Sequence, residues 1–409
     1  MGKLKKLLRG QRGLLDGLRE KVEATGKSSP DAVWWWFHCA SVGECEQAKP
    51  LMERVRREFP KAKILLTFFS PSGYEMLHDY KGADVVSYLP LPIRRNAKRF
   101  LDIVKPEKAI FIKYEFWAAY LNELQKRHIS TYSVASVFRP DQAFFHPVTG
   151  RIYRRRLNCF SKLIVQDARS KELLQKYGID NAVVGGDTRF NRVAQISANP
   201  QELPLIDRFV KGMPENKSVS AMNEADSAII VAGSTWPKDE ELLQQYIENR
   251  PQVRLVLVPH EIDDEHLHEI FRMFEGRYIR LTQANFLNAD TCRVLVVDAM
   301  GLLSSIYQYA DVAYIGGGFG KGIHNTLEAA AYGIPVVWGK NYHRFREAQG
   351  LIDAGAGQAV KDYKQLEAAL DNAILNKQTM GTAARNYVMS EADAADKIFK
   401  EIITSNQTI

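Results

Sequence analysis

The chain has 409 residues, more than one ordinary hydrophobic core accommodates and enough for two domains. At 45% hydrophobic and 25% charged it has globular composition, which excludes a disordered chain. The net charge of +7 is uneven, concentrated in Lys3, Lys5, Lys6, Arg9, Arg12, Arg19 and Lys21 and again in Arg151, Arg154, Arg155 and Arg156. Such clusters are either solvated faces or surfaces for acidic lipid or a phosphate-bearing substrate. No aromatic-basic RNA module or DNA-reading motif accompanies them, so nucleic acid is not an expected partner. The cysteines Cys39, Cys45, Cys159 and Cys292 form no C-x-x-C and read as free thiols of a reducing cytosol. No apolar run approaches ~18 residues, and neither a membrane-spanning helix nor a signal peptide is expected.

In chain order, residues 1–30 come first, with Leu4, Leu7, Leu8, Leu14, Leu15 and Leu18 set among basic residues. The pattern predicts a short amphipathic segment that lies on an anionic membrane or packs on its own domain. Short apolar runs follow at 33–40, 63–68, 84–89, 109–112, 130–135, 163–165 and 182–184, separated by loops and helical patterns such as 50–59 and 170–177. The rhythm resumes at 227–232, 253–258, 294–297, 312–315 and 335–338. Strands alternating with helices predict parallel sheets. The class is therefore α/β, two Rossmann-like doubly wound domains at 31–200 and 226–385 with a cleft between them. Residues 201–225, rich in Pro and polar residues, read as the linker. A last helix, about 383–403, is expected to cross back to the first domain, so that 386–409 forms a closing segment. In doubly wound sheets ligands bind outside the carboxyl ends of the strands.

Residues 314–339, YIGGGFGKGIHNTLEAAAYGIPVVWG, form a strand, a turn with five glycines in seven residues, a short helix and a second strand. Backbone N–H groups and a helix start converge there, which suits a phosphate. The stretch contains no G-x-G-x-x-G and no P-loop, so neither NAD nor a Walker-type ATP site is expected. Asn325 is placed to cap the helix, Glu328 to meet a ribose, and the loop amides around Gly318 to face a phosphate. In the first domain, Glu44 of HCASVGECEQAKP sits where a strand ends and a helix opens. It is a general base for a substrate hydroxyl or, with Ser41, half of a capping box. Ser234 and Thr235 in AGSTWPKDEE follow a strand and precede Pro237 at a helix start. They bind phosphate or sugar, or simply cap the helix. Glu115, in FIKYEFWAAYLNEL, follows a strand beside Phe116 and Trp117. It suits a sugar or acyl acceptor, or it is a first-turn helix residue beside two core aromatics. The histidines His260, His266 and His268 do not share a helix face, and no D-x-D pair stands at a strand end, so a metal-independent mechanism is expected.

Taken together, SVGE, TFFSPSGYE, YLPLP, KYEFWAAYL, GGDTRF, AGSTWPKDEE, VDAMGLLSSIY, ADVAYIGGGF and GIHNTLEAAAYGIPVVWG, in that order, resemble the 3-deoxy-D-manno-octulosonic acid (Kdo) transferases of GT-B architecture. The resemblance runs over roughly residues 8–400. It implies an inverting, metal-independent glycosyltransferase that uses no cofactor. The donor is CMP-Kdo, the acceptor a lipid A precursor, and the place the cytoplasmic face of the bacterial inner membrane, peripherally or through an N-terminal anchor outside this chain. It assigns Glu44 as catalytic base and Glu115 to catalysis or the acceptor. Ser234, Thr235, Pro259, His260, Ala299, Met300, Gly301, Gly318, Asn325, Thr326, Leu327 and Glu328 fall to the nucleotide. The chain departs from the family pattern at His260, where an Arg is usual, at Leu302 in place of Glu, at Thr326 in place of Pro, and at Tyr114 in place of the first Glu of an E-x-E-L-W-like motif. Two other readings fit the same fold: a GT-B enzyme or epimerase using a UDP-sugar, and a non-catalytic glycolipid-binding protein.

Overall fold

The computed structural model describes residues 3–27, 32–212, 227–289 and 291–404. The chain forms two compact units, Met1–Arg192 with Glu391–Ile409, and Val193–Ser390. The first contains β1 (Trp34–Cys39), β2 (Lys63–Phe68), β3 (Val85–Tyr88), β4 (Lys108–Ile112), β5 (Ser130–Ser136), β6 (Lys162–Val165) and β7 (Ala182–Val184). They form one sheet in the order β3-β2-β1-β4-β5-β6-β7, every neighbouring pair parallel. A parallel sheet is covered on both faces, so its central strands are continuously apolar. Accordingly β1, WWWFHC, is buried at every position; Trp34 and Trp36 pack in the core on one face, Trp35 and Phe37 in that on the other.

Each strand expected in this half is present. The expected helix 50–59 is longer, however, running Val42–Glu58 with Pro50 inside it. Ser41, extended at φ −140° and ψ 170°, caps it, and its side chain accepts the Glu44 N–H. The capped start carries the helix through Pro50, whose missing N–H forfeits one bond of the ladder.

The N-terminal helices Lys3–Gly10 and Leu14–Lys27 lie on this unit: Leu15, Leu18 and Val22 are buried in its core. Gln11 bonds Leu89 O and receives Leu91 N–H. Of the two readings of the leucine face, packing on its own domain holds for Leu15 and Leu18; Leu8 remains 51% exposed. No helix among the described residues is long and apolar enough to cross a membrane.

The other face of the same sheet is closed by the end of the chain. Ile398, Phe399 and Ile402 of the helix Ala394–Thr404 are buried there, and Tyr132 OH donates to Ile402 O at 3.0 Å. The single helix expected over 383–403 is two, Lys377–Glu391 and Ala394–Thr404. Asn191 stands at the break: its Nδ2 donates to Ala392 O and its Oδ1 accepts from Ala395 N–H at 2.9 Å, supplying partners for backbone groups that the interruption frees.

The second unit repeats the design with β8 (Ala228–Thr235), β9 (Val253–Pro259), β10 (Tyr278–Arg280), β11 (Val294–Val296), β12 (Val312–Ile315), β13 (Val336–Gly339) and β14 (Gly357–Val360). The order is β10-β11-β9-β8-β12-β13-β14, again parallel throughout. The edge strands β10 and β14 escaped the sequence reading because they are short and only partly buried. The stretch read as linker contributes the helix Pro204–Lys211, which buries Ile206 and Phe209 in this unit.

In both sheets the chain proceeds to either side of an interior strand pair, β1/β4 in the first and β8/β12 in the second, where β10 takes the edge before β11 fills in beside β9. Connections leave such a pair on opposite faces and open a crevice at its carboxyl ends. The singled-out motifs stand there: SVGE after β1 and KYEFW after β4, AGSTW at the end of β8 and the glycine turn after β12.

Candidate active site

In the first unit the site is built from the ends of β1 and β4. Glu44 lies in the first turn of Val42–Glu58, and its Oε2 accepts the Ala40 N–H at 2.5 Å. The capping box expected to return Glu44 to Ser41 N–H therefore reaches one residue further back. Ser41 Oγ completes it by accepting Glu44 N–H at 3.4 Å. Burial raises the Glu44 pKa against the lowering pull of Ala40 N–H. The negative charge of Glu115 raises it further, while Lys113 and His38 lower it. A carboxyl whose pKa is raised in this way is suited to proton transfer.

Glu115 is brought close by the backbone after β4. Lys113 takes φ +59°, an uncommon conformation for a side-chain-bearing residue, and its carbonyl accepts Ser136 Oγ at 2.6 Å. The next helix starts only at Ala118, so Glu115 lies in the preceding loop and is not a first-turn helix residue. Phe116 is core. Trp117, whose ring lies 4.7 Å from that of Phe69, donates Nε1–H to Glu115 Oε2 at 2.6 Å, and His38 Nε2 stands 3.2 Å from the same oxygen. His38 and Trp117 went unassigned in the sequence; the signal for His38 was its place near the end of β1, two residues ahead of Ala40-Ser41.

In the second unit, β8 ends on a bulge that puts Ser234 at φ +54°. Thr235 is fully buried and donates its hydroxyl to Glu240 Oε1 at 2.8 Å; Glu240 Oε2 meets His266 Nε2 at 2.9 Å. The Thr235 side chain is therefore structural in this arrangement, and Ser234 is the half-exposed hydroxyl of the pair. Asp239, 1% exposed, joins the two motifs of this unit. It accepts from Trp236 N–H at 3.0 Å, Gly317 N–H at 2.8 Å and Tyr314 OH at 2.7 Å. Burial raises its pKa, and those three donors oppose the rise. In the sequence Asp239 and Glu240 pass for ordinary acids of a helix start, so neither was singled out.

The glycine turn is shaped by close backbone packing. A Cβ on Gly316 would lie 2.2 Å from Ser234 O, and one on Gly318 would lie 2.5 Å from Gly339 Cα. The Gly317 N–H is committed to Asp239, so it is withdrawn from any phosphate. The helix that follows is a single turn, Leu327–Ala330. Asn325 Oδ1 accepts Leu327 N–H at 3.1 Å and its Nδ2 donates to Glu328 Oε1 at 2.9 Å. Leu327 and Thr326 are fully buried, and Thr326 Oγ1 has no hydrogen-bond partner among the described residues.

Pro259 ends β9 and is buried, whereas His260 is exposed. The His260 ring stacks at 4.9 Å on Trp236 and lies 4.3 Å from His324, which accepts Trp236 Nε1–H at 3.2 Å. Burial and the neighbouring His260 bring the His324 pKa down to about 4. Ala299, Met300 and Gly301 turn after β11, with Gly301 at φ +83° and Met300 72% exposed.

These two crevice-bearing parallel sheets define a two-domain Rossmann-like protein of the GT-B type. A family model described as 3-deoxy-D-manno-octulosonic-acid transferase (kdotransferase) matches residues 16–192, so the first unit carries that family's domain. Over longer stretches the chain is 27% identical to the 3-deoxy-D-manno-octulosonic acid transferase of Rickettsia bellii, covering 81% of this chain and 77% of that protein. It is 25% identical to the one of Haemophilus influenzae, covering 93% and 89%. The motif resemblance has this support: the family's domain lies in the first unit, and the chain is similar to Kdo transferases along most of its length, which supports glycosyl transfer. Among solved structures, it is similar to the UDP-GlcNAc 2-epimerase of Neisseria meningitidis bound to UDP-GlcNAc, at TM-score 0.63 and 15% identity, covering 92% of this chain and 100% of that one. A putative UDP-N-acetylglucosamine 2-epimerase from Listeria monocytogenes aligns at TM-score 0.61 and 13% identity, covering 92% and 97%. At that identity the likeness concerns the fold alone.

Proposed function

We propose that the protein transfers Kdo from CMP-Kdo to a lipid A precursor, with inversion and without a metal. The observation that carries the reading is Glu44, a half-buried carboxyl of raised pKa beside Glu115 at the carboxyl ends of β1 and β4. Glu44 takes the proton of the acceptor hydroxyl as that oxygen attacks the anomeric carbon. The bond from this carbon to the phosphate oxygen breaks, and CMP leaves with the electron pair. Ser234, the Gly318 turn, Asn325 and Glu328 of the second unit hold the nucleotide, with Pro259, His260 and 299–301 at its periphery. Thr235, Thr326 and Leu327 support those groups from the buried side. Because Gly317 N–H is occupied, the phosphate relies on the remaining amides and on Ser234. The acceptor, an anionic glycolipid, places the reaction at the inner-membrane surface.

Incubation with CMP-Kdo and a tetra-acylated lipid A precursor should yield CMP and an acceptor heavier by Kdo, by mass spectrometry. Glu44→Gln should lower kcat by about 1,000-fold or more while CMP binding by calorimetry stays unchanged. Turnover of a UDP-sugar instead, or near-normal transfer by Glu44→Gln, would refute the assignment.

A further inference from the structure

His38 is fully buried at the end of β1, yet both ring nitrogens are engaged. Nε2 lies 3.2 Å from Glu115 Oε2, and Nδ1 lies 2.9 Å from Thr67 Oγ1 on β2. Trp36 Nε1–H donates to that same Thr67 oxygen at 2.8 Å, and Trp117 Nε1–H donates to Glu115 Oε2 at 2.6 Å. Proton inventory gives the chain a direction. The two indoles only donate and a carboxylate only accepts, so the imidazole nitrogen facing Glu115 carries the hydrogen. Thr67, having accepted from Trp36, has its own hydrogen to give to Nδ1. The Thr67 carbonyl, 3.2 Å from Nδ1, is the alternative partner and calls for a doubly protonated ring. In either state Nε2–H points at Glu115.

We propose that His38 is a positioning residue: the chain Trp36–Thr67–His38, with Trp117, holds Glu115 Oε2 as a fixed carboxylate beside Glu44, leaving Glu44 as the group that moves the proton. The inference rests on the transferase reading only for its catalytic consequence. Two donors on one oxygen fix the Glu115 side chain and leave its Oε1 for the acceptor. Trp36, Thr67 and His38 are fully buried, so this part of the chain tolerates the loss of a member poorly, because the partner is left without water to replace it.

The first test needs no substrate. The Trp117 indole N–H resonance, assigned through Trp117→Phe, should shift in His38→Asn, whose amide is too short to reach Glu115. It should return toward the wild-type position in His38→Gln, which places a donor near Nε2. Thr67→Val, nearly isosteric, is the second variant should His38→Asn fold poorly; it should move the same resonance in the same direction. In the transfer assay His38→Asn should lower kcat by about 10- to 100-fold, the loss of one hydrogen bond to a charged group. The KM for CMP-Kdo should stay unchanged and His38→Gln should recover most of the rate. A Trp117 resonance unmoved in both His38→Asn and Thr67→Val overturns the coupling whatever the reaction is. Equal loss of kcat in His38→Asn and His38→Gln, with the resonance restored in the latter, overturns the catalytic consequence. Because the indole signal is read without substrate, its failure is distinct from failure of the transferase reading.

Discussion

Two carboxylates near one another cannot ionise independently, and their surroundings decide which one works as the base. Burial is the leading cause of the raised Glu44 pKa, and the Glu115 charge adds to it. A base must be deprotonated to act, so under the proposed role of Glu44 transfer should fall as pH drops through its raised pKa, with the acid limb of kcat above the ordinary glutamate range. Removing the neighbouring charge in Glu115→Gln should move that limb to lower pH, whatever happens to the plateau rate. A limb that stays in place, measured over pH 4–8 in buffers of constant ionic strength, would detach Glu115 from the electrostatics of the base. The sign for stability is opposite to that of a salt-bridged acid: a raised folded-state pKa makes the ionised form the costly one, so this group favours folding at low pH and loses that advantage as pH rises. His324 works the other way. With its pKa near 4 against 6.5 for the free side chain, it is neutral at pH 7 and opposes folding progressively as pH falls through that interval.

At the scale of elements, the glycine turn shows why a sequence signal and its physical cause can differ. The run of glycines invited a phosphate reading, but three of its features serve packing: Gly316 against the end of β8, Gly318 against Gly339 of β13, and Gly317 at φ +87° with its N–H on Asp239. Gly318→Ala should therefore cost the second unit about 1–3 kcal/mol, since backbone and not a yielding side chain stands in the way. Gly320→Ala, whose Cβ would find its nearest neighbour, Gly317 O, at 3.6 Å, should be near neutral. Urea unfolding of both variants checks the contrast, and equal stabilities would remove the packing argument. The strands were legible because buried parallel strands are continuous apolar runs. β10 and β14 were not, because edge strands lack that burial. The positions of Glu44, Asn325 and Ser234 between strand and helix were legible. Asp239 and His38 were hidden because a buried acid at a helix start looks like any first-turn acid, and a histidine inside WWWFHC looks like core. Thr235 was legible as a position but not as a role: only the structure shows its hydroxyl turned inward to Glu240.

At the scale of the whole molecule, the first unit is discontinuous in sequence, needing residues from both ends of the chain. The helix Ala394–Thr404 supplies Ile398, Phe399 and Ile402, each no more than 1% exposed, to a face that also contains Trp35 and Tyr132. Truncation after Asp393 uncovers that face. Three large apolar side chains at roughly 1.5–3 kcal/mol each amount to about 5 kcal/mol or more, comparable with the whole stability of a typical domain. The second unit, Val193–Ser390, contains neither the lost helix nor the uncovered face. Denaturation should consequently split into two transitions. The early one is reported by near-UV signals of the tryptophans in the first unit, Trp34, Trp35, Trp36 and Trp117, and the late one by Trp236 and Trp338 of the second. The nucleotide binding proposed for the second unit should survive up to the late transition, while transfer is lost with the early one. A single shared transition in the truncated chain, or loss of nucleotide binding together with the first, would mean that the two units do not hold their folds separately and that the last helix supports more than the sheet it covers.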